Sequence, residues 1–200
     1  MIFESALTND LAFLLPFTIE LFTSFFPKPF WSAHEIVPNL ILGDVNVVTY
    51  KRAIEYYPLS AVLTVLNDSE MQCINILETL KEYNITAENN NWLRFNYSDG
   101  LVENGLQKEF HTAADFIHNW VDQKQQAIIV HCWAGASRSP TIVAAYLIKY
   151  REHSKDSALQ LIREKRKIAY PNAFFLQQLD AFEQNFSRQQ NSCNCTCVLL

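Results

Sequence analysis

Cys132 and Arg138 stand six positions apart in the run Ala127-Ile-Ile-Val-His-Cys-Trp-Ala-Gly-Ala-Ser-Arg-Ser-Pro140, and that pair can carry out phosphoryl chemistry. A thiolate is a strong nucleophile towards phosphorus. A planar guanidinium can hold two oxygens of a tetrahedral anion at once. Between the two lie Trp133, Ala134, Gly135, Ala136 and Ser137, mostly small side chains that let backbone N–H groups approach an anion closely.

The elements around this stretch place both groups. Ile128, Ile129 and Val130 form a short apolar, β-branched run that reads as a buried strand. Pro140 opens an apolar-periodic segment, and proline near a helix start loses no hydrogen bond, because its missing N–H would be unpaired there anyway. Strand, small-residue loop and helix N-terminus in that order make an anion site, where loop amides and the positive helix end converge. A thiol facing such a field is favoured as its thiolate, the nucleophilic form.

Breaking a phosphoester also needs a proton for the leaving oxygen. Asp99, in Asn96-Tyr-Ser-Asp-Gly100, follows a strand-like alternation from Trp92 to Tyr97. If that strand runs parallel to the one ending at His131, Asp99 reaches the same sheet edge as Cys132. Asp-Gly is also a common turn dipeptide, so a plain turn aspartate is the competing reading. Asp68 and Asp44 follow strand-like runs too and are the alternative acids.

The stretch His131-Cys132-Trp133-Ala134-Gly135-Ala136-Ser137-Arg138-Ser139 resembles the His-Cys-(x)5-Arg-Ser/Thr signature of cysteine-dependent protein tyrosine phosphatases. The Ala-Gly-x-Ser-Arg-Ser-Pro wording is similar to the dual-specificity branch. Segments Ala158-Leu159, Lys165-Arg166, Pro171-Asn172 and Phe175-Leu176 fit that branch's late helices, so the likeness covers about residues 35–186. It implies catalytic roles for Cys132, Arg138, Asp99 and Ser139, with hydrolysis through a phosphocysteine intermediate and no metal or other cofactor. Asp99 matches the family's general acid. Ser139 resembles the hydroxyl that donates to the departing thiolate; a first-turn helix serine is the plainer reading. His131 resembles the residue that shapes the loop and favours the thiolate. A metal-ligand role for His131 is not expected, since no second ligand stands at a suitable spacing.

The same resemblance bears on substrate. Positions 133–137 bind the phosphoryl group with Arg138 and contain no lysine or arginine. Family members acting on inositol phosphates usually carry basic residues there, so a phosphoprotein substrate is expected, phosphotyrosine first and phosphoserine or phosphothreonine with it. Trp133 either stacks on an aromatic substrate or walls the pocket. The alternatives are a phosphoinositide or other non-protein phosphatase, and a catalytically weak module that binds phosphoproteins.

Beyond the loop, strands and helices alternate, which predicts an α/β fold with a mainly parallel central sheet flanked by helices. A strand and turn are expected over Ile36–Gly43, a helix over Val48–Tyr57, a strand over Ala61–Leu66, a helix over Met71–Tyr83, and a strand over Trp92–Tyr97. A long amphipathic helix over Leu106–Val121 follows. After the loop come helices near Pro140–Lys149, Ser157–Lys167 and Asn172–Phe186. In an open sheet of this kind the site lies at the carboxyl ends of the strands, where Cys132 falls. The basic run Arg163-Glu-Lys-Arg-Lys167 reads as a solvated helix face or as a patch for acidic partners.

Three regions result: 1–34, 35–186 and 187–200. The first holds the apolar stretch Leu11–Phe26, shorter than the roughly 20 residues of a membrane span and broken by Pro16 and Glu20. Leu11, Leu14, Leu15, Thr18, Ile19, Phe22, Phe25 and Phe26 share one helical face, so an extra apolar N-terminal helix is expected, docked on the domain or lying on a membrane surface, with a span or targeting segment as the remaining alternative. With 49% hydrophobic residues the chain can bury a core, and a net charge of −5 argues against nucleic acid as a partner.

Five cysteines without paired spacing suit a reducing compartment, so a cytoplasmic protein is expected. The sequons at Asn84, Asn96, Asn185 and Asn194 are then chance. The polar segment from Ser187 is expected to be disordered and leads to Cys197-Val-Leu-Leu200, a Cys-a-a-X box whose final leucine favours geranylgeranylation. One prenyl chain holds a membrane weakly, so palmitoylation of Cys193 and Cys195 is the expected second signal of a membrane tether.

Overall fold

The computed structural model describes residues 31–100 and 105–196. The expected N-terminal helix and the Cys197–Leu200 box lie outside the described residues.

Among the described residues, five strands form one sheet in the order β1-β2-β5-β3-β4. They are β1 (Ala33–Val37), β2 (Leu40–Gly43), β3 (Ala61–Val65), β4 (Trp92–Phe95) and β5 (Ile128–His131). All neighbours are parallel except β1 and β2, which form an antiparallel hairpin. The hairpin replaces the single strand and turn expected at 36–43. Pro38 cannot donate to a ladder and Asn39 takes the left-handed conformation at φ 68°, so the chain reverses between them.

Register decides the rest. Gly43 and Thr64 both pair with His131, and Val65 pairs with Phe95. The carboxyl ends of β2, β3, β4 and β5 therefore line up, and the segments holding Asp44, Asn67, Asp99 and Cys132 all leave from one edge.

Both faces of the sheet are covered, as a parallel sheet requires. Leu40, Leu42, Leu63 and Val130 face a core completed by α5 (Phe110–His118), α6 (Arg138–Tyr150), α7 (Lys155–Lys165) and α8 (Ala173–Thr196). Ile41, Val62 and Ile129 face a smaller core with Val47, Val48, Ile54, Ile76, Leu80 and Ile85. The latter residues come from α1 (Asn46–Thr49), α2 (Lys51–Tyr56), α4 (Ile76–Glu82) and the turn after α4, while α3 (Asp68–Gln72) buries none of its residues. Every residue of α6 from Arg138 to Ile148 is buried, which explains why its sequence from Ile142 to Ile148 is apolar all round rather than amphipathic.

Several expected helices are divided. The one at 48–57 breaks at Tyr50, whose backbone is extended. The one at 71–83 becomes α3 and α4, because Asn67 starts a helix early. Its side chain accepts from Glu70 N at 2.8 Å, and the Glu70 carboxylate accepts from Asn67 N at 2.9 Å, a reciprocal cap. Residues 106–123 stay helical but pass from a 3-10 turn (Leu106–Glu109) through α5 to a π turn (Asn119–Gln123). The backbone of α8 runs on to Thr196 where disorder was expected from Ser187; no proline or glycine stands between 173 and 196 to stop it. Among the described residues no helix is long and apolar enough to cross a membrane.

Candidate active site

The loop Cys132–Ser137 joins β5 to α6, and its carbonyls are taken from behind. Trp133 O accepts from Val45 N at 3.1 Å and Ala136 O from Tyr170 N at 2.6 Å. Between them, Arg166 Nη2 donates to Ala134 O at 2.9 Å and Arg166 Nε to Gly135 O at 2.7 Å. In a trans peptide the N–H following a carbonyl points the opposite way, and no peptide here is cis. The N–H groups of Ala134, Gly135, Ala136 and Ser137 are thereby turned to the other side of the loop, as an oxyanion cradle needs. Gly135 makes the curl possible. Its φ is +65°, and a Cβ would stand 2.4 Å from Gly43 O and 2.7 Å from Arg166 Nη2.

Cys132 is 2% exposed at the start of this curl, and Ser139 Oγ donates to its Sγ at 3.2 Å. The sulfur thus has a polar partner in the first turn of α6. Arg138 is also buried. Its Nη1 and Nη2 donate to the Glu70 carboxylate at 2.6 and 2.7 Å, and Nη1 also reaches Tyr97 O at 2.9 Å. Giving that carbonyl to Arg138 is one reason β4 stops at Phe95 rather than at Tyr97. Arg138 Nε is buried without a hydrogen-bond partner, a donor still open to an oxyanion. Burial works against the Arg138 charge, but Glu70, Cys132 and Asp99 outweigh it and push the pKa up. For Glu70 burial again opposes the charge, and the hydrogen bonds from Arg138 and Asn67 outweigh it, so its pKa is lowered.

His131 is wholly buried, and desolvation brings its pKa down to about 4, so the imidazole is neutral at pH 7. Trp92 Nε1 donates to Thr64 Oγ1 at 3.0 Å, and Thr64 Oγ1 lies 2.8 Å from His131 Nε2. The Cys132 carbonyl can only accept, so the ring nitrogen beside it is the donor and Nε2 takes the Thr64 hydroxyl proton. The imidazole proton then sits on Nδ1, 3.4 Å from Cys132 O.

Asp99 is bonded to the loop. Its Oδ1 accepts from Ser137 Oγ and from Asn172 Nδ2, both at 2.8 Å. The alternative acids are engaged elsewhere: Asp68 pairs with Arg94 and Asn96, and Asp44 accepts the N–H groups of Ser32 and Asn46. Trp133 stands 43% exposed. Among the described residues no three His, Cys, Asp or Glu side chains cluster as metal ligands would.

Glu70, Thr64 and Arg166 are absent from the residues that sequence singled out for the site. Glu70 carried a signal, the Asn-x-x-Glu pattern of a helix cap, which says nothing about Arg138. Arg166 sits in the run read as a solvated face or acidic-partner patch, yet it is fully buried. The helix ends at Lys165, and the non-helical backbone of Arg166 departs from that face.

The chain matches the model of the dual specificity phosphatase catalytic domain over residues 48–185. It is 32% identical over 152 residues to dual specificity protein phosphatase 26 of Mus musculus, covering 76% of this chain and 67% of that one. It is 32% identical over 151 residues to putative tyrosine phosphatase 123R of Invertebrate iridescent virus 6, covering 75% and 91%. Human tyrosine phosphatase-like serine/threonine/tyrosine-interacting protein has the same fold, with a TM-score of 0.66 at 23% identity over 77% of this chain and 97% of that one.

Proposed function

Since the chain belongs to the dual specificity phosphatase family and is a protein phosphatase, we propose that Cys132 is its nucleophile, Arg138 its oxyanion clamp, Asp99 its general acid and Ser139 the donor to its leaving thiolate. Cys132 Sγ attacks phosphorus and the ester P–O bond breaks, while Asp99 gives its proton to the departing oxygen. Arg138 and the amides of the loop hold the three equatorial oxygens, where charge grows in the transition state. Water, deprotonated by Asp99, then attacks the phosphocysteine. The S–P bond breaks, Ser139 Oγ donates to the sulfur, and inorganic phosphate leaves. His131 acts through the Cys132 carbonyl and keeps the first peptide of the loop in place.

The observation that carries this reading is the row of carbonyls from Trp133 to Ala136 bonded away from the cradle. The substrate is a phosphoprotein, with phosphotyrosine preferred and phosphoserine or phosphothreonine also taken. The absence of basic residues at 133–137 favours this over an inositol phosphate. A membrane tether through geranylgeranylation of Cys197, with acylation of Cys193 and Cys195, belongs to the same proposal; intact-mass measurement on protein from eukaryotic cells, with a Cys197→Ser control, tests it.

The decisive experiment compares the parent chain with Cys132→Ser on a phosphotyrosine peptide and a phosphoinositide. The parent hydrolyses the peptide faster than the lipid. Cys132→Ser retains peptide binding and loses turnover. A parent chain that binds the peptide without releasing phosphate is a binding module, and one that prefers the lipid is not a protein phosphatase.

A further inference from the structure

Arg166 is 0% exposed, and no carboxylate is among its hydrogen-bond partners. On one side its guanidinium donates to the carbonyls of Ala134 and Gly135. On the other, Nη1 donates to Ser32 O at 3.0 Å and Ser32 Oγ at 2.9 Å, and lies 3.1 Å from His34 Nδ1, which must present its lone pair there. A buried cation held by carbonyl dipoles is costly to keep charged, and burial lowers its pKa against the pull of Asp44, Cys132 and Tyr57. A fold that needed only a link between α7 and the start of β1 could make it with an uncharged group. The fork instead grips two successive peptide planes at the middle of the loop.

We propose that Arg166 is a positioning residue for phosphate binding: by holding Ala134 O and Gly135 O, it aims the N–H groups of Gly135 and Ala136 at the phosphoryl oxygens. The assignment rests on the reading of the loop as the phosphoryl site. It gives Arg166 no contact with substrate, since its donors lie behind the loop. Lysine is the informative replacement, because it keeps the charge and loses the fork: one ammonium cannot hold two peptide planes in fixed orientation. The two amides are then free to turn, and the loss falls on oxyanion affinity and on the transition state together.

The test is calorimetric titration of tungstate, a tetrahedral oxyanion, into the full chain, with turnover of p-nitrophenyl phosphate measured alongside and both corrected for folded fraction. For Arg166→Lys we expect tungstate affinity and kcat/KM to fall by about tenfold or more. For Ser32→Ala, which loosens the far end of the fork and touches nothing in the loop, we expect about a twofold to fivefold fall in tungstate affinity. A lower melting temperature with parental tungstate affinity in Arg166→Lys overturns the proposal and leaves Arg166 a purely structural link. If Arg166→Lys does not fold, Ser32→Ala decides, and parental affinity there overturns it. A parent chain that binds tungstate but hydrolyses nothing defeats the phosphatase reading alone, and the same titrations still judge Arg166.

Discussion

Ser137 Oγ donates to Asp99 Oδ1 at 2.8 Å, so the candidate acid is tied to the phosphate loop itself. Asn172 Nδ2 reaches the same oxygen at 2.8 Å, and Asn172 N lies 3.3 Å from Ser137 Oγ. Three segments far apart in sequence meet there: the exit of β4, the end of the loop and the approach to α8. The carboxyl is held at the rim by two donors on one oxygen, which leaves Oδ2 for a proton and a leaving group.

Asp99→Asn should therefore separate substrates by leaving group. With a phosphotyrosine peptide, whose phenol leaves poorly, kcat is expected to fall about 10²- to 10⁴-fold. With p-nitrophenyl phosphate, whose anion leaves without help, the fall is expected to be much smaller. Steady-state kinetics on the two substrates measure this, and an equal loss on both would assign Asp99 to loop support only.

Gly135→Ala should damage the cradle more than the fold. The left-handed φ of +65° and a Cβ placed 2.4 Å from a rigid backbone oxygen demand a peptide rearrangement, at a cost of about 1–3 kcal/mol. Urea unfolding is expected to show that modest loss, while tungstate affinity is lost almost entirely. Parental affinity in the variant would mean that the curl of the loop is not the binding conformation.

His131 gives stability a pH dependence with a definite sign. Its pKa falls from 6.5 in the unfolded chain to about 4 in the fold. Between those values the unfolded chain takes up a proton that the folded chain refuses. The contribution is complete above about pH 6.5, shrinks as the pH drops and is gone below about 4, a total of about 3 kcal/mol. Glu70, with its lowered pKa, adds a loss of the same sign at more acid pH. Urea midpoints at pH 7.0, 5.5 and 4.5 should fall in that order, and His131→Asn should flatten the slope across the upper part of the range. A midpoint rising towards acid would contradict a buried neutral imidazole.

What could be read from the sequence is what lies close in sequence or follows from strand edges. Cys132, Arg138 and Ser139 share one loop and one helix turn, so spacing alone brought them together. Asp99 came from the rule that parallel strands end on one edge, which the register of β3, β4 and β5 obeys. Glu70 and Arg166 were out of reach for a physical reason. Each meets the loop across a long sequence gap, Glu70 to Arg138 and Arg166 to Ala134, and those meetings depend on how α3 and the end of α7 pack. Thr64 meets His131 only through the β3–β5 register, and a shift of one residue would have turned its side chain to the opposite face. Helix boundaries slipped where local chemistry overrode periodicity, at the Asn67 cap and at Tyr50.

The cap on α3 has a wider consequence. One oxygen of Glu70, Oε2, accepts both Asn67 N, which starts the helix, and Arg138 Nη1, which readies the guanidinium. A five-residue helix at the surface is among the first parts of a protein to fray, at a free-energy cost well below global unfolding. Opening there would release the carboxylate and leave the buried Arg138 with Tyr97 O as its remaining partner, so the aim of the guanidinium depends on a marginal surface turn and not only on the sheet beneath it.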